Sequence, residues 1–515
     1  MAFGKDSMVT DVLIIGGGLA GLRAAQVCFN RGLDVTVICN GKGASPFVHG
    51  LSVPLSKDDS PKLFFDDTLK SGYFHNDKKL AKTLCDKSLL LLDEFEFDKN
   101  GDDYDLLKAL GSSVPRVAFI KKNSGPSVIS DIEKNCKFNK ITNVRAYRLI
   151  KSNGRVCGAR CFDISKKIHF TIYSKAVVLA CGGFGGIFPF STNSHDISGD
   201  GIAMAYDVGA TIKDLEFIQF EPSVAVSPEN LVGKSVITTM LYEGAVIKNK
   251  FNCRFMDERQ DKDSLSFGIY KEIQKGLGTS NGGVYYDMTA VDKTLLTTKY
   301  ANYFNRYKQV GIDISTTPVE IAPAPHTTMG GVKIDEYCKT TIDGLFACGE
   351  VTGGLHGANR LGGNAGLEVL VFGKIAGESC VKYLESFKGE NYLDDEIIDD
   401  IFVDTTDIDA TAKQLAYESL NVVRNTKTMQ DALIKCNDIL SSLSTDKIEN
   451  SFNLIKVRNI VLTIKLTLES CLLRSYSVGS CKIDGLEEFC KDKHNAYSVN
   501  LRRLDDETVF SKELL

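Results

Sequence analysis

Cysteine spacings that hold iron–sulfur clusters or haem are missing from this sequence. The 515 residues include 15 cysteines, but no two are spaced C-x-x-C and none begins a C-x-x-C-H haem attachment motif. Most of the cysteines, such as Cys28, Cys181 and Cys348, lie in apolar or glycine-rich segments. A thiol in such a segment behaves as a small hydrophobic side chain. We therefore expect reduced, structural cysteines and no metal site.

The sequence also has no apolar run of membrane-spanning length and no signal-peptide pattern. The run at 12–15 has the length of a strand, and the later run at 460–473 is interrupted by Lys465 and Glu469. A net charge of −5 gives no electrostatic footprint for nucleic acid. These absences predict a soluble protein of the cytoplasm, without a transmembrane segment or a nucleic-acid partner.

What is present begins with a glycine motif near the N-terminus. Residues 11–21, DVLIIGGGLAG, place Gly16, Gly18 and Gly21 in the G-x-G-x-x-G pattern between a strand and a helix. The first glycine allows a tight turn, the second lets the backbone approach a pyrophosphate, and the third permits close packing of the helix on the strand. The motif predicts dinucleotide binding. The acid that usually ends the next strand is absent, so Asn40 is our candidate partner for the ribose hydroxyls.

A second glycine-rich stretch spans residues 326–378. Its apolar run at 344–350 ends in Glu350, which suits a buried strand that delivers a carboxylate to ribitol or ribose hydroxyls. From Gly366 the apolar residues have helical spacing, so the amides of residues 364–366 are predicted at a helix N-terminus. Such a terminus stabilises negative charge.

Three motifs in this stretch follow one another: H-x-T-x-G-G from His326, G-L-x-A-x-G-E ending at Glu350, and L-H-G-A-N-R-L-x-x-N containing Arg360. In this order they closely resemble the flavoprotein family of fumarate reductases, succinate dehydrogenases and L-aspartate oxidases. The resemblance implies FAD as the cofactor. Some family members carry a histidine bonded to the flavin where this chain has Pro46, so we expect noncovalent FAD. Whether His49, three residues later, contacts the flavin or is an ordinary loop histidine stays open.

The resemblance extends to the run CGGFGG at 181–186, which takes the place of an A-T-G-G run that contacts the adenosine half of FAD in the family. The FAD contacts that the motifs and the resemblance imply lie in both glycine-rich stretches and between them. The candidates are Gly16, Gly18, Leu19, Ala20, Gly21, Asn40, Ser45, Val144, Ala180, Cys181, Gly182, Asp200, Glu350, Asn364, Ala365 and Leu367.

We predict the α+β class: a Rossmann-like α/β FAD-binding domain, an inserted capping domain and a C-terminal helical region. The length calls for two or three structural units. A cap suits hydride chemistry, because closing it over a substrate excludes water. The predicted bounds are 1–217 and 332–392 for the FAD-binding domain, 218–331 for the cap and 393–515 for the helical domain, where residues 414–443 and 450–473 have helical apolar spacing.

Half of the family's substrate site matches this sequence. His326 and Arg360 match the residues that clamp the substrate carboxylate, and arginine suits this role because its fork grips a carboxylate in two places. In FIQFEPS, Glu221 stands where the family has a carboxylate-binding histidine, and Ser223 replaces a threonine. The candidates for the remaining substrate contacts are Thr238, Thr239 and Glu243.

The family's proton-delivering arginine is Lys262 here, and Arg259 would replace it only if the backbone shifted register. The segment 476–481, YSVGSC, loses another arginine and a histidine of the family pattern. A carboxylate about 4 Å from Glu221 would be opposed by roughly 4 kcal/mol at a typical effective dielectric. This disfavours ordinary fumarate or succinate. A substrate with one carboxylate, or with an amine or another donor opposite it, fits better.

We predict hydride transfer from reduced FAD to the C=C bond of an α,β-unsaturated carboxylate, with Lys262 as the proton donor. One alternative is oxidation of a carboxylate, as in L-aspartate oxidase or succinate dehydrogenase, with Glu221 binding a substrate ammonium. Another is a catalytically silent flavoprotein or electron-transfer subunit, in which Glu221 and Lys262 form a salt bridge. The expected partners are the small carboxylate and a separate electron donor or acceptor, in solution or as a partner subunit.

Overall fold

Parallel strand pairing around the first strand, Ser7–Ile15, builds the centre of the computed structural model. Its two neighbours are Val35–Cys39 and Ile168–Leu179, and both run parallel to it. The C-terminal halves of the two longer strands, residues 12–15 and 176–179, are apolar and buried, as expected for a sheet covered on both faces. The structure describes residues 7–41, 43–389, 398–443 and 450–515.

The strands of this sheet bring the glycine-rich runs to one edge. Its main path has the order Asn139–Thr142, Val35–Cys39, Ser7–Ile15, Ile168–Leu179, Arg155–Asp163 and Val144–Ser152. Leu345–Ala347 pairs in parallel with Ile168–Leu179, and Ile398–Asp399 also pairs with that strand. Because parallel strands end at the same edge, the loops after residues 15, 179 and 347 lie side by side.

Two helices pack against each other on this sheet. Leu19–Asn30 follows the first strand, and the long helix Asn364–Glu385 crosses it at small residues. A Cβ on Gly373 would lie 2.7 Å from the Ala20 carbonyl oxygen, so only glycine permits this approach. Further helices of the first part are Pro61–Ser71, Lys78–Lys87, Ser124–Asn135 and Asp200–Asp207.

A four-stranded antiparallel sheet with its own hydrophobic core occupies the region predicted as the cap. The strands, in spatial order, are Ile218–Ala225, Val319–Thr328, Val284–Asp287 and Val246–Lys248. The helices Lys262–Glu272, Lys293–Thr297 and Ala301–Lys308 pack on this sheet. The α+β class with an inserted cap is therefore confirmed, whereas the numerical domain bounds remain a prediction.

The C-terminal region is less purely helical than predicted. Its helices are Thr406–Ser419, Thr426–Leu443 and Phe452–Leu472. The helical pattern predicted across 414–443 is interrupted at residues 420–425, where Val423–Arg424 pairs with Lys482–Ile483. A hairpin of Tyr497–Leu504 and Glu507–Leu514 follows, and its first strand pairs with Ile212–Lys213. The helical prediction did not include this hairpin, because the apolar spacing on which it rested lies in residues 414–443 and 450–473.

The hairpin completes a sheet whose other strands are Gly331–Lys333 and Thr352–Gly353. Short strand pairs elsewhere are Leu51–Ser52 with Val117–Ala118, Leu106–Leu107 with Val117–Ala118, and Lys99–Asn100 with Asp103–Tyr104. Within the residues that the structure describes, no helix combines the length and the apolar character needed to cross a bilayer.

Candidate active site

A continuous cavity of about 1440 Å³ runs from the first glycine motif to the cap. Ligand pockets of proteins usually measure roughly 300–1,000 Å³, so this cavity has room for a large cofactor together with a small substrate. One end is lined mainly by glycine backbone, including Gly16, Gly18 and Gly182. The other end is lined by charged side chains, including Lys262 and Arg360.

The first glycine motif forms a close backbone crossing at the end of its strand. Gly16 has φ +121°, and a Cβ there would lie 2.2 Å from the Ala180 carbonyl oxygen. Gly18 precedes the helix Leu19–Asn30 and provides no side-chain cap, so the N-terminus of the helix faces the cavity with only its first amide bound by a side chain. The Leu19 amide donates to Ser45 Oγ at 2.8 Å. This end of the cavity is built to receive negative charge.

Thirteen of the sixteen predicted FAD contacts line the cavity: Gly16, Gly18, Leu19, Ala20, Asn40, Ser45, Val144, Ala180, Cys181, Gly182, Asp200, Glu350 and Ala365. Gly21, Asn364 and Leu367 do not line it. Gly21 packs under the turn, where a Cβ would lie 2.0 Å from the Gly16 carbonyl oxygen. Leu367 is buried, and Asn364 turns its amide toward Thr68 Oγ1 at 3.4 Å. The contacts of these three residues with FAD remain predictions.

The helix Asn364–Glu385 presents a second open N-terminus. Its N-cap residue is Gly363, with φ +86° and no side-chain cap, and Ala365 in its first turn lines the cavity. The predicted helix start is thus placed where the amides face the cavity. Asn364 itself is buried, and its Oδ1 has no hydrogen-bond partner among the described residues.

Glu350 is anchored by three donors on one carboxylate oxygen. Oε1 accepts from Asn193 Nδ2 at 2.8 Å, from Thr327 Oγ1 at 2.9 Å and from the Thr328 amide at 3.1 Å. Burial raises the pKa of Glu350, while these hydrogen bonds lower it. The residue lines the cavity, and its contact with a ribitol or ribose hydroxyl remains a prediction.

Asp200 and Cys181 lie close to one another at the glycine-lined end. Asp200 accepts from Arg145 Nε at 2.6 Å and from Asn459 Nδ2 at 3.2 Å, so a helix of the C-terminal region supports this wall. Burial raises the pKa of Cys181 to about 12, which keeps it a neutral thiol. A Cβ on Gly201 would lie 2.3 Å from this sulfur. Cys181 therefore acts as a small packing residue, as expected.

Arg360 is buried at the charged end of the cavity. Its Nη1 donates to the Leu361 carbonyl oxygen at 3.0 Å, and its Nε has no partner. No carboxylate of the described residues lies within the 4 Å that defines an ion pair with this guanidinium. Burial lowers the pKa of Arg360, while the nearby charges of Glu350, Glu221 and Glu368 raise it. A buried guanidinium without a carboxylate partner is an open binding group for an anion.

His326 lies beside Arg360 as a neutral imidazole. Its Nδ1 is 2.8 Å from Thr192 Oγ1, and its Nε2 is 3.9 Å from Glu221 Oε2. Desolvation, followed by the charges of Lys262 and Arg360, holds the pKa of His326 well below its usual range. The predicted pair of His326 and Arg360 is thus brought together on one side of the cavity, and a neutral histidine there offers a hydrogen bond but no charge.

Glu221 and Lys262 form an ion pair inside the cavity. The Lys262 ammonium donates to Glu221 Oε2, and both side chains are largely buried. Ser223 Oγ donates to Glu221 Oε1 at 3.2 Å and to the Val236 carbonyl oxygen at 2.6 Å. The salt bridge left open as an alternative in the sequence analysis is therefore present, and Lys262 neutralises Glu221. Ser223 lies outside the cavity lining, and its contact with a substrate remains a prediction.

The remaining substrate candidates divide into two groups. Thr238 and Thr239 line the cavity, and their contact with a substrate remains a prediction. Glu243 lies outside the lining and accepts from Lys299 Nζ at 2.9 Å, and its substrate contact also remains a prediction. Arg259 is exposed and also outside the lining, so it does not take the place of Lys262.

The segment 476–481 also lies away from the lining of the cavity. Tyr476 Oη is 2.9 Å from His75 Nε2 and donates to the Asn495 carbonyl oxygen at 3.1 Å. By contrast, His49 lines the cavity. His49 is thus part of the cavity wall, and whether it contacts the flavin stays open. Tyr476, in the segment 476–481, instead packs against residues outside the cavity lining.

Two lining residues of the cap, Tyr303 and Arg306, escaped the sequence analysis. Both belong to the helix Ala301–Lys308. Their i, i+3 spacing places them on one helical face, while Phe304 and Tyr307 on the same helix are buried in the cap core. In the sequence, only this i, i+3 spacing could have linked the two residues. It does not show which face of a helix lies against a cavity.

Comparisons with known proteins agree with this geometry. Residues 11–365 match the family model described as FAD binding domain. The chain therefore belongs to this family of FAD-binding flavoproteins. It is 34% identical over 507 residues to an uncharacterized FAD-dependent oxidoreductase of Methanocaldococcus jannaschii, covering 92% of this chain and 93% of the relative.

Two further relatives carry named activities. One chain of the CoM/CoB fumarate reductase of Methanothermobacter marburgensis is 30% identical, with 91% of this chain and 93% of the relative covered. L-aspartate oxidase of Clostridium acetobutylicum is 34% identical, with 74% of this chain and 91% of the relative covered. The FrdA chain of E. coli quinol fumarate reductase superposes with a TM-score of 0.87 at 22% identity, covering 99% of this chain and 97% of that one, which shows the shared fold.

The protein is accordingly an FAD-dependent oxidoreductase of the fumarate reductase, aspartate oxidase and succinate dehydrogenase family. The described residues fit FAD by their own geometry. Gly16 and Gly18 let the backbone approach a pyrophosphate, and the two uncapped helix starts offer amides to negative charge. When bound, FAD supplies hydride chemistry at its ring, and the charged end of the cavity supplies the groups that would hold a substrate beside it.

Proposed function

We propose that this protein transfers hydride from reduced FAD to the C=C bond of a small α,β-unsaturated carboxylate other than fumarate. The observation that carries the proposal is Arg360, a buried guanidinium in the cavity without a carboxylate partner among the described residues. Its neighbour His326 is uncharged. Together they offer one cation and one hydrogen-bonding group, which suits a single carboxylate.

Arg360 would fix the substrate and activate it at the same time. A bidentate guanidinium orients a carboxylate in one plane, and it stabilises the negative charge that develops on the conjugated carboxylate as hydride is added. Because the site is buried, this electrostatic stabilisation is stronger than it would be in water. A lysine in its place would keep the charge but lose the fork.

Lys262 is the group proposed to move the proton at the adjacent carbon. It lines the cavity, and Glu221 holds its ammonium in place. An ammonium carries a proton at neutral pH, and its flexible stem lets it approach a carbon that the clamp presents. Glu221 is here a positioning residue, since Lys262 and Ser223 already engage its two oxygens.

The same arrangement disfavours fumarate and a substrate ammonium. The Glu221–Lys262 pair has no net charge, so it offers no free cation to a second carboxylate next to the reacting carbons. An ammonium on the substrate would have to displace Lys262 from Glu221. The largely buried Lys262 ammonium would then lose the carboxylate that neutralises it, which is unfavourable. The oxidation of an amino dicarboxylate is therefore the second candidate, supported by the 34% identity to an L-aspartate oxidase.

The test is a screen of enoic acids against photoreduced holoenzyme, followed by the flavin absorbance. We expect at least one enoic monoacid to reoxidise the flavin faster than fumarate does, and Lys262→Met to remove this reaction while the enzyme stays yellow. Unchanged turnover in Lys262→Met removes Lys262 from the mechanism. Bleaching of oxidised flavin by aspartate would favour the oxidase alternative instead.

Failure of every acid in both directions would favour the catalytically silent flavoprotein. Purification of the chain with bound partners would then decide whether it passes electrons to another protein. The proposal includes a physiological electron donor, because reduced FAD must be regenerated between turnovers of the hydride transfer. The silent flavoprotein would likewise need a partner with which it exchanges electrons.

A further inference from the structure

We infer that the cap carries a second anion subsite, formed by Arg306 and Tyr303, which selects substrates with an additional acidic group at the end remote from Arg360. The inference rests on the proposed function, because it specifies the substrate class of the same cavity. It concerns residues that no sequence motif marks, on the helix Ala301–Lys308.

The first observation is the placement of this helix. Phe304 and Tyr307 are buried in the hydrophobic core of the cap, and Tyr303 and Arg306 line the cavity. The buried face fixes the rotation of the helix, since turning it would expose two large aromatic side chains. Tyr303 and Arg306 are thereby held at the cavity by packing.

The second observation is that Arg306 has an orienting contact but no charged partner. Its Nη1 donates to the Ser235 carbonyl oxygen at 3.0 Å, and its Cζ lies 5.3 Å from the ring centroid of Tyr303. Among the residues described by the structure, no carboxylate lies within ion-pair distance of Arg306. Stacking and one backbone contact fix the plane of the guanidinium and leave its other donors open to an anion.

The third observation locates this cation relative to the charged end of the cavity. Burial raises the pKa of Tyr303 to about 12, while the Arg306 charge lowers it and the Glu221 charge raises it, so Tyr303 lies near both groups. Desolvation and then the Arg306 charge lower the pKa of His49, another residue of the cavity wall. The open cation Arg306 therefore belongs to the same cavity as the neutral Glu221–Lys262 pair.

Two guanidinium groups without a carboxylate partner among the described residues, Arg360 and Arg306, thus line one cavity. The Glu221–Lys262 ion pair lines the same cavity. A compact diacid would place its second carboxylate against Glu221, where it is disfavoured. A longer diacid would extend beyond the Glu221–Lys262 pair and place its second carboxylate against Arg306. The Tyr303 hydroxyl would donate a hydrogen bond to the same carboxylate.

Two other charged residues of the cavity lining, Asp98 and Lys299, do not neutralise Arg306. Asp98 lines the cavity, but its two oxygens accept from the amides of Lys121 and Lys122 at 2.9 and 2.6 Å. Lys299 also lines it and is paired with Glu243 at 2.9 Å. Arg306 is therefore the best placed free fork among these residues.

The experiment measures binding to oxidised holoenzyme, which needs no hydride transfer. Succinate, glutarate, adipate and pimelate are titrated against the flavin absorbance, each beside the saturated monoacid of equal length. We expect at least one of the longer diacids to bind about tenfold more tightly than its matched monoacid, which corresponds to roughly 1.4 kcal/mol, and succinate to show no such advantage.

The variants assign this advantage to its residues. Arg306→Gln is expected to abolish the diacid advantage and leave monoacid affinity unchanged, whereas Arg306→Lys retains part of it and Tyr303→Phe lowers it about threefold. Arg259→Gln serves as the matched control, because Arg259 is an exposed arginine of the cap outside the cavity lining, and it should change neither affinity.

Several results would overturn the inference. These are equal affinities for diacids and monoacids at every length, equal losses of both in Arg306→Gln, absence of binding by any acid, or loss of FAD from Arg306→Gln, which would assign the arginine to the cofactor. A diacid advantage that depends on Arg306, combined with no reoxidation of reduced flavin by any enoate, would instead retain the subsite and reject the proposed hydride transfer.

Discussion

The two ends of the cavity are built from different materials. The FAD end is made of backbone: the glycines at 16, 18 and 182 and two uncapped helix starts line it. The substrate end is made of side chains, with Arg360 and His326 facing Glu221 and Lys262. A site made of glycine backbone tolerates few sequence changes, because any larger residue would place a Cβ too close to neighbouring backbone atoms. At a site made of side chains, by contrast, a substitution can change which ligand binds. This explains how one fold keeps its cofactor while the substrate half is altered.

The largest expected effect lies at the backbone end. Gly21→Ala would place a Cβ 2.0 Å from the Gly16 carbonyl oxygen, so the glycine turn must move and we expect the protein to purify without FAD. The measurement is the ratio of flavin to protein absorbance. Gly32→Ala is the matched control, because Gly32 has φ +77° with nothing within 4 Å of the added Cβ.

The control should cost about 1 kcal/mol of unfolding free energy from backbone strain and retain FAD. If both variants retain FAD equally, close backbone packing is not what makes this end of the cavity specific for its cofactor.

The next effect lies at the side-chain end. Arg360→Lys keeps a positive charge but loses the fork, and we expect kcat/KM for the best enoic acid to fall about 100-fold, or roughly 3 kcal/mol. The measurement is the rate at which that acid reoxidises reduced flavin. The absorbance of bound FAD should stay unchanged, and an unaltered rate would show that Arg360 does not hold the substrate.

A smaller effect on stability tests the ion pair itself. Lys262→Met leaves the largely buried Glu221 without its partner, and we expect a loss of about 3 kcal/mol in unfolding free energy. Glu221→Gln in the same background removes the remaining charge and should restore most of this loss. Denaturant unfolding of Lys262→Met, of Glu221→Gln alone and of the double variant completes a double-mutant cycle with the unchanged protein. Additive losses would mean that the two residues are not coupled.

The smallest effect concerns the pH dependence of stability. The pKa of His326 lies well below its usual range because of desolvation and nearby cations, and the pKa of His75 is lowered to about 3, chiefly by burial. Below pH 6.5 the unfolded chain binds protons at these histidines while the folded protein does not. Above that pH neither state is protonated at these histidines, so they leave stability unchanged. Below it each histidine costs stability as pH falls, by up to about 1.4 kcal/mol per pH unit.

His326→Gln and His75→Gln should each make the unfolding free energy less dependent on pH between pH 6.5 and 5. The expected decrease in slope is the contribution of one histidine. Only His326→Gln should also lower the rate of flavin reoxidation, because His75 lies outside the cavity lining. Equal effects of both variants on that rate would show that the position of His326 in the cavity has no catalytic importance.

Most of the cofactor half could be predicted from the sequence. Glycine spacing after an apolar strand reports a local constraint, so Gly16, Gly18 and the helix starts were found without tertiary information. Gly21 and Leu367 lie in the predicted elements but outside the cavity lining, so their contact with FAD remains a prediction. Local periodicity gives the element, but the side of it that meets a ligand depends on packing by distant strands.

The substrate half was predicted only in part. His326 and Arg360 came from intact motifs, but the pairing of Glu221 with Lys262 joins residues 41 positions apart. Ser223 and Glu243 form hydrogen bonds with Glu221 and Lys299, partners that the sequence did not predict. Arg306 and Tyr303 gave no motif, because an arginine on an amphipathic helix is usually a solvated residue.

The β-α-β unit, the FAD-binding class and the positions of the two glycine-rich runs follow from the sequence alone, because they depend on steric limits within a few residues. Which charges cancel and which remain open depends on the tertiary structure. Whether a guanidinium is available depends on what packs within a few ångströms of it, and for Arg360 and Arg306 that surrounding is assembled from segments far apart in the chain.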